Sequence, residues 1–272
     1  MLASLEHTDF RDKFLNGFWR FNMNGYLKIG GVLPTNPNYK KITDIALLPS
    51  LNREGLVAGY SLKENSVFNF ATGTNSQLVG SQPGKGANGL FLNSSSFIDT
   101  GIQKSESFTY LVIAPRTATL GGFLMGDYVH ASLSSTGVEQ GTSLSSRGDV
   151  YAGVSTGLAQ AFGLQDSNVA GDLTLFIYSC TKRVDSSFSQ TYANLQGGRN
   201  IFLERTATNL LNLVNNTVGI GWNKKAATLN WDVNQREILY ACLYNKGFSK
   251  AELESWALSI RQELLNLKNL TI

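Results

Sequence analysis

The sequence predicts an all-β chain, folded as a two-sheet antiparallel jelly-roll sandwich with an N-terminal arm and a C-terminal amphipathic helix. Three observations predict it. The 272 residues hold 27 glycines and 11% aromatics against only 16% charged residues, a balance that favours pleated, half-buried surfaces over helices. From Gly55 onward about ten to twelve short β-like runs follow one another, spaced by turn chemistry. Helical periodicity is confined to the end of the chain.

The first 53 residues read as a separate arm, with residues 54–272 as the body. The arm mixes Phe10, Phe14, Phe18, Trp19, Phe21 and Tyr26 with charged residues, and carries Pro34, Pro37 and Pro49. So many aromatics need cover, from the body or from a partner. The body opens with the run 55–62 (GLVAGYSL). The runs 89–93 and 95–101 follow a glycine-rich turn, PGKGANG. The run 107–115 (SFTYLVIAP) is apolar on both faces, which places it centrally in a covered sheet, and Pro115 ends it. Residues 121–134 read as two short strands or one bent strand, and 132–148 as a long surface loop. The runs 149–155, 172–185, 200–207, 217–222 and 236–246 complete the set, with 172–185 as a second long central strand. In the last, both faces look buried, and Asn245-Lys246-Gly247 reads as a tight turn with Gly247 free to take positive φ. Phe248 then plugs the gap before a helix over 249–268. Ser249 and Glu252 form a capping box, and Leu253, Trp256, Ile260, Leu264 and Leu267 share one face.

Charge and cysteine content exclude several function classes. The net charge is +3, yet the first 53 residues hold seven Lys/Arg and four Asp/Glu, while the remainder holds sixteen of each. A neutral body argues against a nucleic-acid groove, which needs clustered positive charge. No apolar run approaches about 18 residues, so no membrane span is expected, and the start lacks the apolar core of a secretory signal. Cys180 and Cys242 lie in apolar runs. The ordinary reading is two buried free thiols, and a single bridge between neighbouring strands is the alternative. Neither belongs to a CxxC, so zinc is not expected.

Four segments in order resemble the concanavalin A-like, laminin-G-like jelly-roll domains: 55–66 (GLVAGYSLKENS), 84–101 (GKGANGLFLNSSSFIDTG), 107–117 (SFTYLVIAPRT) and 236–256 (REILYACLYNKGFSKAELESW). The resemblance covers about residues 55–260. It implies the sandwich fold and a place among phage and prophage tail-associated proteins, where such domains sit behind an arm that joins them to the particle.

Catalytic patterns are absent from the expected places. Glycosidases on this fold need two carboxylates flanking the scissile bond. The closest acidic pairs are Glu252 with Glu254, on the terminal helix, and Asp232 with Glu237, across a turn. His7 and His130 are the only histidines, and His130 reads as a satisfied structural residue rather than a base. Lys85 lies in a glycine turn that lacks phosphate-loop spacing. A glycoside hydrolase is therefore the last of the readings, and no enzyme is expected.

Sugar binding needs aromatic faces beside amides. Trp222-Asn223 and Asn230-Trp231 flank one polar loop and could line a rim, with Trp222 half-buried; the preferred reading is that both tryptophans are structural. Tyr128 and Tyr151 are further candidates. Calcium is the only cofactor considered, through Asp99, Asp127 and Asp149; solvated loop aspartates are the preferred reading. The expectation is a non-enzymatic virion component of a phage or prophage, made without a signal peptide. It would be a homo-oligomer that docks other tail proteins through its arm. The alternative is a lectin module that recognises bacterial surface polysaccharide.

Overall fold

The computed structural model describes residues 19–22, 26–29, 50–64, 67–117, 122–153, 160–163, 171–208, 210, 215–225, 234–268 and 270–272. The chain forms two compact units, Met1–Pro49 and Ser50–Ile272. In the first, β1 (Trp19–Asn22) and β2 (Tyr26–Ile29) form an antiparallel hairpin, with Trp19 opposite Ile29 and Asn22 opposite Tyr26. The side chains of the arm's aromatics lie outside the described residues, as do His7, the arm prolines, Asn230, Trp231 and Asp232.

The second unit is the predicted all-β sandwich. Its strands are β3 (Leu56–Ser61), β4 (Phe68–Asn69), β5 (Thr74–Asn75), β6 (Gln77–Gly80), β7 (Gly84–Lys85), β8 (Leu90–Leu92), β9 (Ser96–Asp99), β10 (Phe108–Pro115) and β11 (Phe123–Gly126). Then come β12 (Thr142–Ser145), β13 (Asp149–Ala152), β14 (Gln160–Gly163), β15 (Leu173–Lys182), β16 (Phe188–Gln196), β17 (Arg199–Ala207), β18 (Gly219–Ile220), β19 (Arg236–Ile238) and β20 (Tyr240–Tyr244). One helix, α1 (Lys250–Lys268), closes the chain. A six-stranded sheet runs β17-β16-β15-β10-β20-β3, and a seven-stranded sheet runs β14-β13-β12-β11-β18-β9-β6. Their pairings are antiparallel throughout. Strands β19, β8 and β7 form a small third sheet, and β4 pairs with β5.

Strand alternation builds the core. Tyr110, Val112 and Ala114 of β10 meet Leu144, Val150 and Ala152 of the other sheet in one buried cluster. Leu111 and Ile113 point the other way and are equally buried, so β10 is covered on both faces, as its unbroken apolar run requires. Helix α1 packs over β15, β16 and β17, burying Leu253, Ala257, Ile260 and Leu264. Its capping box forms: the Ser249 amide donates to Glu252 Oε2 at 2.8 Å, and the Glu252 amide to Ser249 Oγ at 3.4 Å. No helix among the described residues is long and apolar enough to cross a membrane.

The structure departs from the sequence reading in several places. Residues 142–145, expected within a surface loop, form β12, buried inside the seven-stranded sheet. Its small hydroxyl residues pair internally: Thr142 Oγ1 with the Tyr110 hydroxyl, Ser145 Oγ with Asp149. Strand β16 was not legible at all, because its buried residues include Gln190, Thr191, Asn194 and Gln196. Those polar groups are satisfied from neighbours, as where Gln190 Nε2 donates to the Tyr178 hydroxyl at 2.5 Å. The run 236–246 splits at Leu239, whose amide donates to Ile113 O while its carbonyl accepts from Leu62. Gly247 is needed for close approach rather than for positive φ: a Cβ there would lie 1.9 Å from Thr181 Oγ1. Cys180 and Cys242 are buried thiols not joined in a disulfide, on strands separated by β10. Burial pushes the Cys242 thiol up to about 12.

Candidate ligand-binding face

The seven-stranded sheet turns one face to the core and the other outward. On β13, Val150 and Ala152 join the core, so Asp149 and Tyr151 point outward. On β12, Leu144 faces the core, so Ser143 and Ser145 face outward. Pairing continues past β11: the Asp127 backbone amide donates to Thr142 O, and Val129 bridges Gln140. That register puts Asp127 inward and Tyr128 outward. Gly126, Gly141 and Ser143, all buried, put no large side chain between Tyr128 and Tyr151. Gly141 is held at φ +75°, and a Cβ there would lie 2.7 Å from Asp127 O.

Both tyrosines are half-buried, and each hydroxyl has a charged neighbour. Burial, with Glu139 as hydrogen-bond partner, holds the Tyr128 hydroxyl protonated well above the usual tyrosine range. Burial and then Asp149 act the same way on Tyr151. Arg147 donates to the Tyr151 hydroxyl at 3.2 Å through Nη2, and its Nε donates to Asp149 Oδ2 at 3.2 Å. That bond raises the pKa of Arg147 further. His130 caps a short turn, its Nδ1 accepting from the Ser132 amide at 3.2 Å. Nε2 is then the protonated ring nitrogen, and it lies 3.6 Å from Glu139 Oε1. Gly153 lets the Glu139 backbone pack close: a Cβ would sit 2.3 Å from Glu139 O.

A buried polar brace sets Tyr128 in place. Asp127 pairs with Lys104 in an ion pair whose side chains are each 1% exposed. It also accepts from the Thr142 amide at 2.9 Å. Burial lowers the Lys104 pKa and outweighs the attraction of Asp127. Asn216 Nδ2 donates to Asp127 O and to Asn223 Oδ1, each at 3.2 Å. Asn223 Nδ2 in turn donates to Tyr128 O at 2.8 Å.

The sequence candidates therefore take different places. Tyr128 is on the outward face with Tyr151. Asn223 is fully buried and holds the Tyr128 backbone. Trp222 is only 6% exposed, more deeply buried than the expected half, and packs with Phe97 and Phe123, its ring 5.5 Å from that of Phe123. The Tyr128 ring rests against this cluster. Arg147, Glu139 and His130 were not singled out as binding residues; their place on this face follows from strand register, which the sequence does not print.

The three aspartates do not converge, and the preferred picture of solvated loop aspartates is corrected, since all three are buried. Asp99 accepts from the Gly101 amide at 3.0 Å and from Thr217, with Lys224 3.8 Å away. Asp127 faces Lys104, and Asp149 faces Arg147 and Ser145. No cluster of three metal-ligating side chains occurs among the described residues. The glycine turn 84–89 also has an internal occupant. Glu237 Oε1 accepts from the Asn88 and Gly89 amides at 2.5 and 2.9 Å, and a Cβ on Gly86 would strike it. Glu252 serves the helix cap, and Glu254 lies 3.5 Å from Lys250.

No protein-family model matches the chain, and no curated protein matches it in sequence. Solved structures offer distant likenesses. One is botulinum neurotoxin type C, whose cell entry depends on interaction with two ganglioside molecules. It is 12% identical over 76% of this chain and 52% of its own, with a TM-score of 0.49. The binding domain of botulinum neurotoxin serotype D/C is 13% identical over 76% and 53%, with a TM-score of 0.47. The lectin UEA-II, solved with galactose, is 10% identical over 64% and 87%, with a TM-score of 0.31. The chain spans about half the length of the two neurotoxin structures. Likenesses this distant decide nothing about what the chain binds.

Proposed function

We propose that the second unit is a non-enzymatic carbohydrate-binding module and that the outward face around Tyr128 and Tyr151 is its binding surface. The observation that carries this reading is the pair of half-buried tyrosines set over small residues, each hydroxyl beside a charged group. Such rings give flat faces for sugar C–H groups. Arg147, His130 and Glu139 supply donors and acceptors for sugar hydroxyls from the segments that flank these strands. Each polar group has a protein partner, so the surface is ordered before a ligand arrives and little entropy is lost on binding. The face is tested with bacterial capsular and wall polysaccharides, with and without calcium. Saturable binding that Tyr128→Ala and Tyr151→Ala both weaken supports the reading. Binding untouched by either variant contradicts it.

The division of the chain at Pro49 favours a compatible second reading. Here the arm docks the module on a phage or prophage tail, and the particle carries several copies. Deleting residues 1–49 would then abolish particle association while the body keeps its melting temperature. A body that unfolds without the arm would contradict this.

A further inference from the structure

The opposite side of the sandwich carries two cavities along the N-terminal half of α1. One, of about 560 Å³, is lined by Thr181, Arg183, Glu204, Arg205 and Gly247 among others. The second, of about 450 Å³, is bounded by Ser50, Asn52, Phe248, Ser255 and Trp256. Glu252 stands in the wall of both, so the two form one groove beside the helix.

Trp256 is the fixed point of this groove. Its Nε1 donates to Ser50 O at 2.9 Å. Its ring lies 5.2 Å from Tyr244 at 87° and 5.1 Å from Phe248 at 38°. Ser50 is itself anchored, its amide donating to Glu263 Oε2 at 2.7 Å. Tyr244 and Phe248 are buried, but Trp256 is only half-buried, and its remaining surface lines the smaller cavity. The Tyr244 hydroxyl behind it is buried with no hydrogen-bond partner. A rigid, half-exposed indole among hydroxyl and amide side chains is the arrangement that stacks a sugar ring.

The charges narrow the ligand class. Arg183 stands against Glu204 and Glu252, while the Arg205 guanidinium turns to the core side of the sheet, 4.4 Å over the Phe162 ring. The groove charges are also engaged: Arg183 donates to Thr206 Oγ1 at 3.2 Å, Glu204 accepts from Ser189 at 3.2 Å, and Glu252 accepts from the Ser249 amide at 2.8 Å. A wall with two carboxylates to one guanidinium repels an anionic ligand. Its dense polar lining costs an apolar ligand more than it returns. A neutral polyhydroxylated chain fits both constraints. We propose that this groove is a second carbohydrate site, separate from the tyrosine face, and that it takes a neutral oligosaccharide with one ring stacked on Trp256. Two sites on opposite sides of one body would let the protein bridge polysaccharide chains.

The test uses the full chain and four probes: maltotriose, cellotriose, mannotriose and chitotriose. Tryptophan emission and saturation-transfer NMR follow each titration. At least one probe should give a saturable change that Trp256→Phe weakens at least tenfold and Tyr151→Ala leaves unaltered. If Trp256→Phe lowers the melting temperature, Ser255→Arg is the second variant. It sits on an exposed helix position that lines the cavity, fills the space, and should also weaken binding tenfold. No saturation by any probe up to about 10 mM, the weak end of measurable affinity, overturns the second site. So does saturable binding that Ser255→Arg and Trp256→Phe both spare. Loss of trisaccharide binding in Tyr151→Ala alone overturns it too, and leaves the tyrosine face as the single site.

Discussion

The side-chain amide of Asn223 donates to the backbone carbonyl of Tyr128 at 2.8 Å, across 95 residues of sequence. Asn223 is 0% exposed and also receives a bond from Asn216, so it acts on a ligand only through Tyr128. Asn223→Ala should therefore weaken polysaccharide binding about tenfold, or about 1.4 kcal/mol. It should also cost about 1–3 kcal/mol of stability, because Asn216 loses a buried partner. Calorimetry and urea melts on the same preparation measure both. Undiminished binding in a destabilised Asn223→Ala would show that Tyr128 needs no brace.

Beneath that brace, Lys104 and Asp127 form a buried pair next to Phe108, whose ring centre is 5.2 Å from Lys104 Nζ. Removing one partner strands the other charge. Lys104→Met should cost about 3–5 kcal/mol. Adding Asp127→Asn should recover part of that loss, since the stranded carboxylate is gone. Urea midpoints of the wild type, single and double variants give the answer; a double variant less stable than Lys104→Met would refute it.

Alkaline pH should destabilise the body through its buried tyrosines. Burial pushes the Tyr60 hydroxyl up to about 12, and Tyr110 and Tyr178 well upward as well. An unfolded tyrosine ionises near pH 10. Above that value the unfolded chain releases protons that the folded chain still holds, so stability falls as pH rises from about 10 to 12. Urea midpoints at pH 8 and pH 11 should differ in that direction. Absorbance at 295 nm should show a class of tyrosines that titrates only on unfolding. Equal midpoints would contradict the burial of these hydroxyls.

The sandwich was legible where the chain is apolar. The runs that became β10 and β15 carry enough Leu, Ile, Val and Phe to announce two covered strands, and Ser249 with Glu252 announced the helix start. Strands β12 and β16 were not legible, because Thr142, Ser143, Gln190 and Asn194 are polar residues made tolerable inside by partners from distant strands. The binding face was half legible for the same reason. Tyr128 and Tyr151 stood out as aromatics, but Arg147, His130 and Glu139 gain meaning only from the register that gathers them. For Trp222 the preferred structural reading holds, but a sugar platform stayed open beside it because a tryptophan next to an asparagine in a turn carries no mark of how deeply it is buried. Phe97 and Phe123, which cover it, lie more than a hundred and about one hundred residues away respectively.

The most direct test of the carbohydrate reading is the affinity of wild type and Tyr151→Ala for extracted bacterial surface polysaccharides, measured by isothermal calorimetry. Tyr151 faces outward, so the variant should keep its fold. Saturable binding by the wild type, weakened at least tenfold in Tyr151→Ala at an unchanged melting temperature, is the expected result. Equal affinities for the two proteins, or no binding by the wild type to any extract, would contradict it.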